Sequence, residues 1–159
     1  MEAPQQDVHA VKRQSRRVLV VAPQPFYEDR GTPIALRQVL EALSGLGYRV
    51  DLLTFPVGRD IDLPGLRIFR VSNPFGLTRV PVGLSMRKLV LDVFLVVALF
   101  GRMRRESYTC VHAVEEAAFP AVVLSRRHGI PLLYDMQSSL PEQLRQHAAL
   151  RICLLYTSP

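Results

Sequence analysis

The sequence predicts an α/β domain built on a doubly wound, mostly parallel sheet, and three observations predict it. Short β-branched apolar runs, of which RVLVVAP (17–23) is the first, have the look of strands buried on both faces. Longer segments of helical periodicity alternate with them. The opening run, helix and second run follow one another as in a right-handed βαβ unit, the building block of a Rossmann-like fold.

The first strand ends at Pro23 and Pro25 and passes into the loop QPFYEDRG. TPIALRQVLEALSGLG then places Ile34, Leu36, Val39, Leu40, Leu43 and Leu46 mainly on one helical face. Thr32 is the expected N-cap and Pro33 the first helical residue, where a missing N–H costs nothing. Gly45 and Gly47 are expected to close the helix in left-handed conformations.

YRVDLLTFP reads as the second strand and LRIFRVS (66–72) as a third, alternating one nearer an edge, with turn-rich stretches on either side of the latter. From about Leu84 to Arg105 a long helix is predicted whose middle, KLVLDVFLVVALF, is apolar nearly all round. Arg87, Lys88 and Asp92 interrupt it, and its uncharged part falls far short of the roughly 20 apolar residues that span a bilayer. A buried or surface-lying helix is therefore expected. TCVHAV is the fourth strand, EEAAFPAVVLSRRHG the helix behind it and IPLLYDM the fifth strand, with SSLPEQLR opening a further helix capped by Ser138 or Ser139.

At 159 residues, 48% hydrophobic and 21% charged, the chain has room for one well-filled core, and its composition is far from that of disorder. The net charge of +6 favours contact with phosphates or anionic headgroups. Lys12 and Lys88 are its lysines and arginine supplies the rest, a bias that codon usage alone can produce. The arginines are scattered, and no zinc-finger spacing, RNP-type stretch or basic zipper occurs, so nucleic acid is not an expected partner. Cys110 and Cys153 form neither a metal motif nor a disulfide framework, which fits a reducing cytoplasm. Residues 1–16 are polar and lack the apolar core of a secretory signal, so they read as a flexible leader ahead of a domain at 17–150. The ending ICLLYTSP closes nothing. Its last residues resemble a translated sequencing-adaptor tail, so 151–159 is expected to be non-native or truncated.

The stretch VLVVAPQPFYEDRGTPIALRQVLEALSGLGYRVDLLT resembles the opening of the GT-B glycosyltransferases of retaining family 4. There a loop glycine, matched by Gly31, precedes a long helix, and an LxxxGxxV passage, matched by LSGLGYRV, leads into strand two. VHAVEEAAFPAVVLSRRHGIPLLYDMQSSLPEQL resembles the same family's later strand, helix and strand, with an HxxE-type strand end and a GxPxxYDxH strand end facing the cleft. The resemblance covers about Arg17 to Arg145. It implies the N-terminal, acceptor-side half of a GT-B fold, with the nucleotide-sugar donor bound by a C-terminal domain absent from this chain. It also implies sugar transfer to a saccharide or lipid-linked acceptor, with retention, no metal and no other cofactor. The fragment alone is then expected to be inactive.

Seven residues are the candidates for the site. Gly31 lets backbone approach a phosphate beside a helix N-terminus, although a turn alone would also explain it. His112 is placed at a strand end for contact with an acceptor or sugar hydroxyl, the alternative being a satisfied core histidine. Glu115, at the position matching the family motif, is the better functional choice over Glu116, but carboxylates in a first helical turn are also explained by the helix dipole. Asp135 faces the cleft by resemblance, and Tyr27 and Arg30 lie in the first loop, where an arginine can pair with an acceptor phosphate. Gln137 stands where the family pattern has a histidine that hydrogen-bonds the transferred sugar. His112 and Glu115 have no third ligand at usable spacing, so no metal site is read.

Rival readings remain. One is a stand-alone nucleotide-binding or receiver-like α/β module, although neither a GxGxxG fingerprint nor a P-loop is present. No GxSxG elbow supports a hydrolase. Another is a membrane-peripheral scaffold resting on the long helix. Its basic flanks Arg87, Lys88, Arg102, Arg104 and Arg105 surround Phe94, Leu95 and Phe100, a pattern suited to an anionic membrane surface at the inner face of the membrane.

Overall fold

The computed structural model describes residues 16–29, 31–80 and 85–137. Five strands, β1 (Arg17–Ala22), β2 (Arg49–Thr54), β3 (Leu66–Arg70), β4 (Cys110–Val114) and β5 (Leu132–Asp135), form one sheet in the order β3-β2-β1-β4-β5. Every pairing is parallel. Helix α1 (Gly31–Gly45) links β1 to β2, α2 (Met86–Arg105) lies between β3 and β4, and α3 (Ala118–His128) links β4 to β5. The predicted doubly wound, Rossmann-like α/β architecture is the one observed, with β3 at an edge as expected.

Side chains that alternate along β1 divide the core into two layers. Val18, Val20 and Ala22 pack with Leu36 and Leu40 of α1 on one face. Leu19 and Val21 pack on the other with Leu91, Leu95, Leu99 and Met103 of α2 and Ala121 of α3. Because β1 leads outward to β2 while β4 leads outward to β5, the direction of winding reverses between β1 and β4. A crevice at that point is where ligands of open α/β sheets bind.

Several boundaries differ from those read in the sequence. Helix α1 begins at Gly31, so Thr32 is inside the helix and Pro33 is its third residue, still within the first turn where no N–H bond is lost. Gly45 is helical, and Gly47 alone of that pair takes a left-handed φ, of 75°. Ile34 and Leu46 are exposed, which leaves Pro33, Leu36 and Leu40 as the buried stripe of α1. The segment after β4 opens with a 3-10 turn (Glu115–Ala117) before α3, because Glu115 sits at φ 50° and interrupts helical geometry. The helix expected at SSLPEQLR, with Ser138 and Ser139, lies outside the described residues.

Helix α2 is bounded by the chemistry its ends require. Ser85 caps it, accepting the Lys88 N–H at 3.1 Å, and Arg102, Arg104 and Arg105 in the last turn complement the negative end of its dipole. Below α2, the base of the sheet holds a buried polar group. Asp51 on β2, fully buried, accepts two hydrogen bonds at 2.8 Å from Arg67 and one at 2.8 Å from Tyr108, while Arg17 pairs with Glu106. Burial and the neighbouring Asp51 carboxylate both push the Tyr108 phenol well above its usual range.

Candidate functional site

The loop after β1 is fastened to the loop after β2. The Gln24 carbonyl accepts from the Thr54 hydroxyl at 2.6 Å and from the Phe55 N–H at 3.3 Å. Tyr27 and Arg59 exchange backbone hydrogen bonds at 2.7 and 3.1 Å. Such close approach requires Gly58: at φ 124°, an added Cβ would lie 2.2 Å from the Phe26 carbonyl oxygen. The Tyr27 ring lies within cation–π distance of both Arg37 (5.3 Å) and Arg59 (5.4 Å), and Arg59 also pairs with Asp29 at 2.7 Å. The Tyr27 hydroxyl and then the Arg59 guanidinium hold the Asp29 carboxyl below its usual range. Tyr27 is thus tied to Asp29 in its own loop, to Arg37 of α1 and to Arg59 in the loop after β2. Arg30 lies outside the described residues.

Gly31 is the first residue of α1, exposed, and a Cβ built there would meet nothing within 4 Å. Neither packing nor a left-handed φ requires glycine at this position.

Strands β4 and β5 bring three of the candidate residues together. Asp135, the last residue of β5, has its Oδ2 3.2 Å from His112 Nε2 and accepts from the Gln137 amide at 3.0 Å. His112 is in the middle of β4 and not at its end, with a side chain only 6% exposed. Its partners in register, Val20 and Leu133, place it on the α1 face of the sheet, reaching up to Asp135 from below. A histidine so placed, with Nε2–H donating to a carboxylate, orients that carboxylate and stays out of solvent. Asp135 and Gln137 are half-buried and line an open groove whose other wall is Ala35, Gln38, Val39 and Ala42 of α1.

Glu115 follows β4 directly, at the crevice between β1 and β4. Its φ of 50° is unusual for a residue with a side chain, and such strain concentrates at functional sites. Glu116 turns away and pairs with Lys88 of α2. One turn along α2, Asp92 is half-buried near that pair, and burial, opposed by Lys88 and helped by Glu116, pushes its carboxyl up to about 6. Among the described residues no three of His, Cys, Asp and Glu converge as metal ligands, and no helix is long and apolar enough to cross a membrane.

Sequence reasoning did not find the α1 wall of the groove. Ala35 and Ala42, seven residues apart on one side of the helix, are a recognisable small-residue signal, but Gln38 between them is indistinguishable from any solvated helical glutamine.

A family model described as a glycosyl transferase 4-like domain matches residues 30–156. No curated protein matches the chain. Among solved structures, sucrose-phosphate synthase from Thermosynechococcus elongatus is similar in fold, with a TM-score of 0.58 and 19% identity over 87% of this chain. A second structure of sucrose-phosphate synthase from the same organism gives a TM-score of 0.54 and 19% identity over 80% of this chain. The chain spans 39% of the first of these structures and 67% of the second.

Proposed function

The chain belongs to the glycosyl transferase 4-like family, and on that premise we propose that it forms the acceptor-side half of an enzyme that transfers a sugar from a nucleoside-diphosphate donor, with retention, to a saccharide or lipid-linked acceptor. The observation that supports this reading is the convergence of Asp135 and Gln137, at and just beyond the end of β5, on His112 from the middle of β4, beside the α1 groove. Asp135 and Gln137 are the groups positioned to touch a substrate hydroxyl. His112 is the positioning residue that fixes Asp135 from beneath. In this reading the acceptor lies at the switch between β1 and β4, near Glu115 at the end of β4 and Gly31 at the start of α1.

Such a half supplies no covalent nucleophile. Its contribution is positioning, with fixed dipoles set against the charge that develops as the diphosphate departs. The donor is held by a second domain outside this chain, and neither half needs a metal. A lipid-linked acceptor would place the enzyme at the cytoplasmic face of a membrane.

Isothermal titration of this chain with UDP- and GDP-sugars tests the assignment of halves. The expected result is no saturable binding in the micromolar range and no transfer. Micromolar binding by this chain alone would overturn the assignment.

A further inference from the structure

Helices α2 and α3 each join parallel strands wound in the same direction, so they lie side by side on one face of the sheet and run the same way. Their outer surfaces are apolar. Leu89, Val93, Val97 and Phe100 recur at three- and four-residue spacing on the side of α2 away from Leu91, Leu95 and Leu99, and Val97 is 62% exposed. Phe119 and Val123, 64% and 65% exposed, continue the surface on α3. The membership of this surface differs from the one read in the sequence. Leu95 is buried, Phe94 packs on the core, Arg102 lies over the Phe69 ring at 3.2 Å, and Lys88 is paired with Glu116.

Both helices end in arginines at the same edge: Arg104 and Arg105 on α2, Arg126 and Arg127 on α3. All four are exposed, and among the described residues no carboxylate pairs with any of them. This is the edge away from the candidate site, since the helices run opposite to the strands. Arg104 lies over the Phe100 ring at 5.2 Å, so the plateau ends in four cations that have no carboxylate partner among the described residues, and it calls for a partner that is apolar within and anionic at its surface.

We propose that this α2–α3 face docks on an anionic lipid bilayer, with the valines and phenylalanines entering the interface and the four arginines meeting headgroup phosphates. A second copy of this chain does not supply the complement: its own α2–α3 face ends in the same four arginines, and the chain carries a net charge of +6. The proposal uses the transferase reading only for the choice of membrane face, and vesicle binding is read without any transfer reaction.

The test is co-sedimentation of the chain with vesicles of phosphatidylcholine alone and of phosphatidylcholine with phosphatidylglycerol, at low and high salt. Binding is expected to the anionic vesicles at low salt and to weaken at high salt. Arg126→Gln with Arg127→Gln is expected to weaken it by roughly 25-fold, at about fivefold per cation. Val97→Asp with Val123→Asp, at exposed positions where circular dichroism checks folding, is expected to abolish it. No binding, equal binding to both vesicle types, or binding unchanged by the aspartates would overturn the proposal. So would concentration-dependent dimers that Val97→Asp dissolves, which would assign the face to a second copy.

Discussion

The Tyr108 hydroxyl donates to the Asp51 carboxylate at 2.8 Å, joining residues 57 positions apart across the buried base of the sheet. Arg67 completes the arrangement from β3 with two further bonds, so a charge with no exposure to solvent has three donors. Removing the carboxylate leaves the buried Tyr108 hydroxyl without its acceptor and leaves Arg67 to solvent and to Glu106, 3.6 Å away. Asp51→Ala is expected to cost about 3 kcal/mol, the lower end for a broken buried pair because Arg67 remains half-exposed. Tyr108→Phe leaves the Arg67 bonds in place and is expected to cost about 1–2 kcal/mol. Urea unfolding of the two variants checks the order; equal effects would mean that the carboxylate is not the centre of the group.

Asp92 provides a pH signature of opposite sign to the usual carboxylate. Its pKa rises from 3.8 to about 6 on folding, chiefly through burial, so the folded state holds its proton more tightly than the unfolded state does. The associated stability is present below 3.8 and is lost as the pH rises through about 6. At neutral pH the ionised group is a burden. Because the residue is only half-buried, solvent screening reduces that burden to about 1 kcal/mol. Asp92→Asn is expected to raise stability at neutral pH by that amount and to flatten the pH dependence across this window. Thermal melts of both proteins at several pH values decide it, and a variant no more stable than the parent at neutral pH would refute the assignment.

Gly58 holds two cleft loops together by lacking a side chain. Gly58→Ala would set a Cβ against the Phe26 carbonyl at a φ that residues with side chains avoid, and is expected to cost at least about 2 kcal/mol. Hydrogen exchange should show the damage at the amides of Tyr27 and Arg59, whose mutual bonds depend on the close approach. Retained protection at both amides would show that the loops accommodate the methyl group.

The order of strands and helices was legible in the sequence because parallel strands buried on both faces read as continuous apolar runs. RVLVVA and VDLLT both do, and VDLLT does so despite Asp51. What makes that aspartate tolerable was not legible, since Arg67 and Tyr108 are distant in the chain and carry no periodic signal. The faces of α2 were hidden for the opposite reason: beyond Asp92 the run VFLVVALF is apolar all round, so nothing in it separates Leu95, which is buried, from Val97, which is exposed. At the site, the grouping of His112, Asp135 and Gln137 follows from two strands that family resemblance brings together. The depth of His112 does not, because the hydropathy of TCVHAV cannot say how many residues remain before the strand ends.

Gln137 offers the sharpest test of the site. Its amide donates to the same Asp135 oxygen that lies against His112, and the resemblance of YDMQSS to the GxPxxYDxH strand end implies a histidine at this position. Glutamine keeps a donor and an acceptor but cannot become cationic or relay a proton. If the side chain serves only to hydrogen-bond, to Asp135 on one side and to a sugar hydroxyl on the other, the enzyme completed by the proposed donor domain is expected to be active with glutamine. Turnover then shows no histidine-like titration from this position across about pH 5 to 8. Gln137→Ala removes one hydrogen bond of about 1.4 kcal/mol and is expected to slow turnover roughly tenfold. Gln137→His restores the donor but places a titratable ring beside Asp135, so activity is expected to return with a new pH dependence in that range. Rate–pH profiles of the three proteins read this out. An alanine variant as fast as the parent would strike Gln137 from the site, and activity confined to the histidine variant would mean that the reaction needs an imidazolium this chain does not provide.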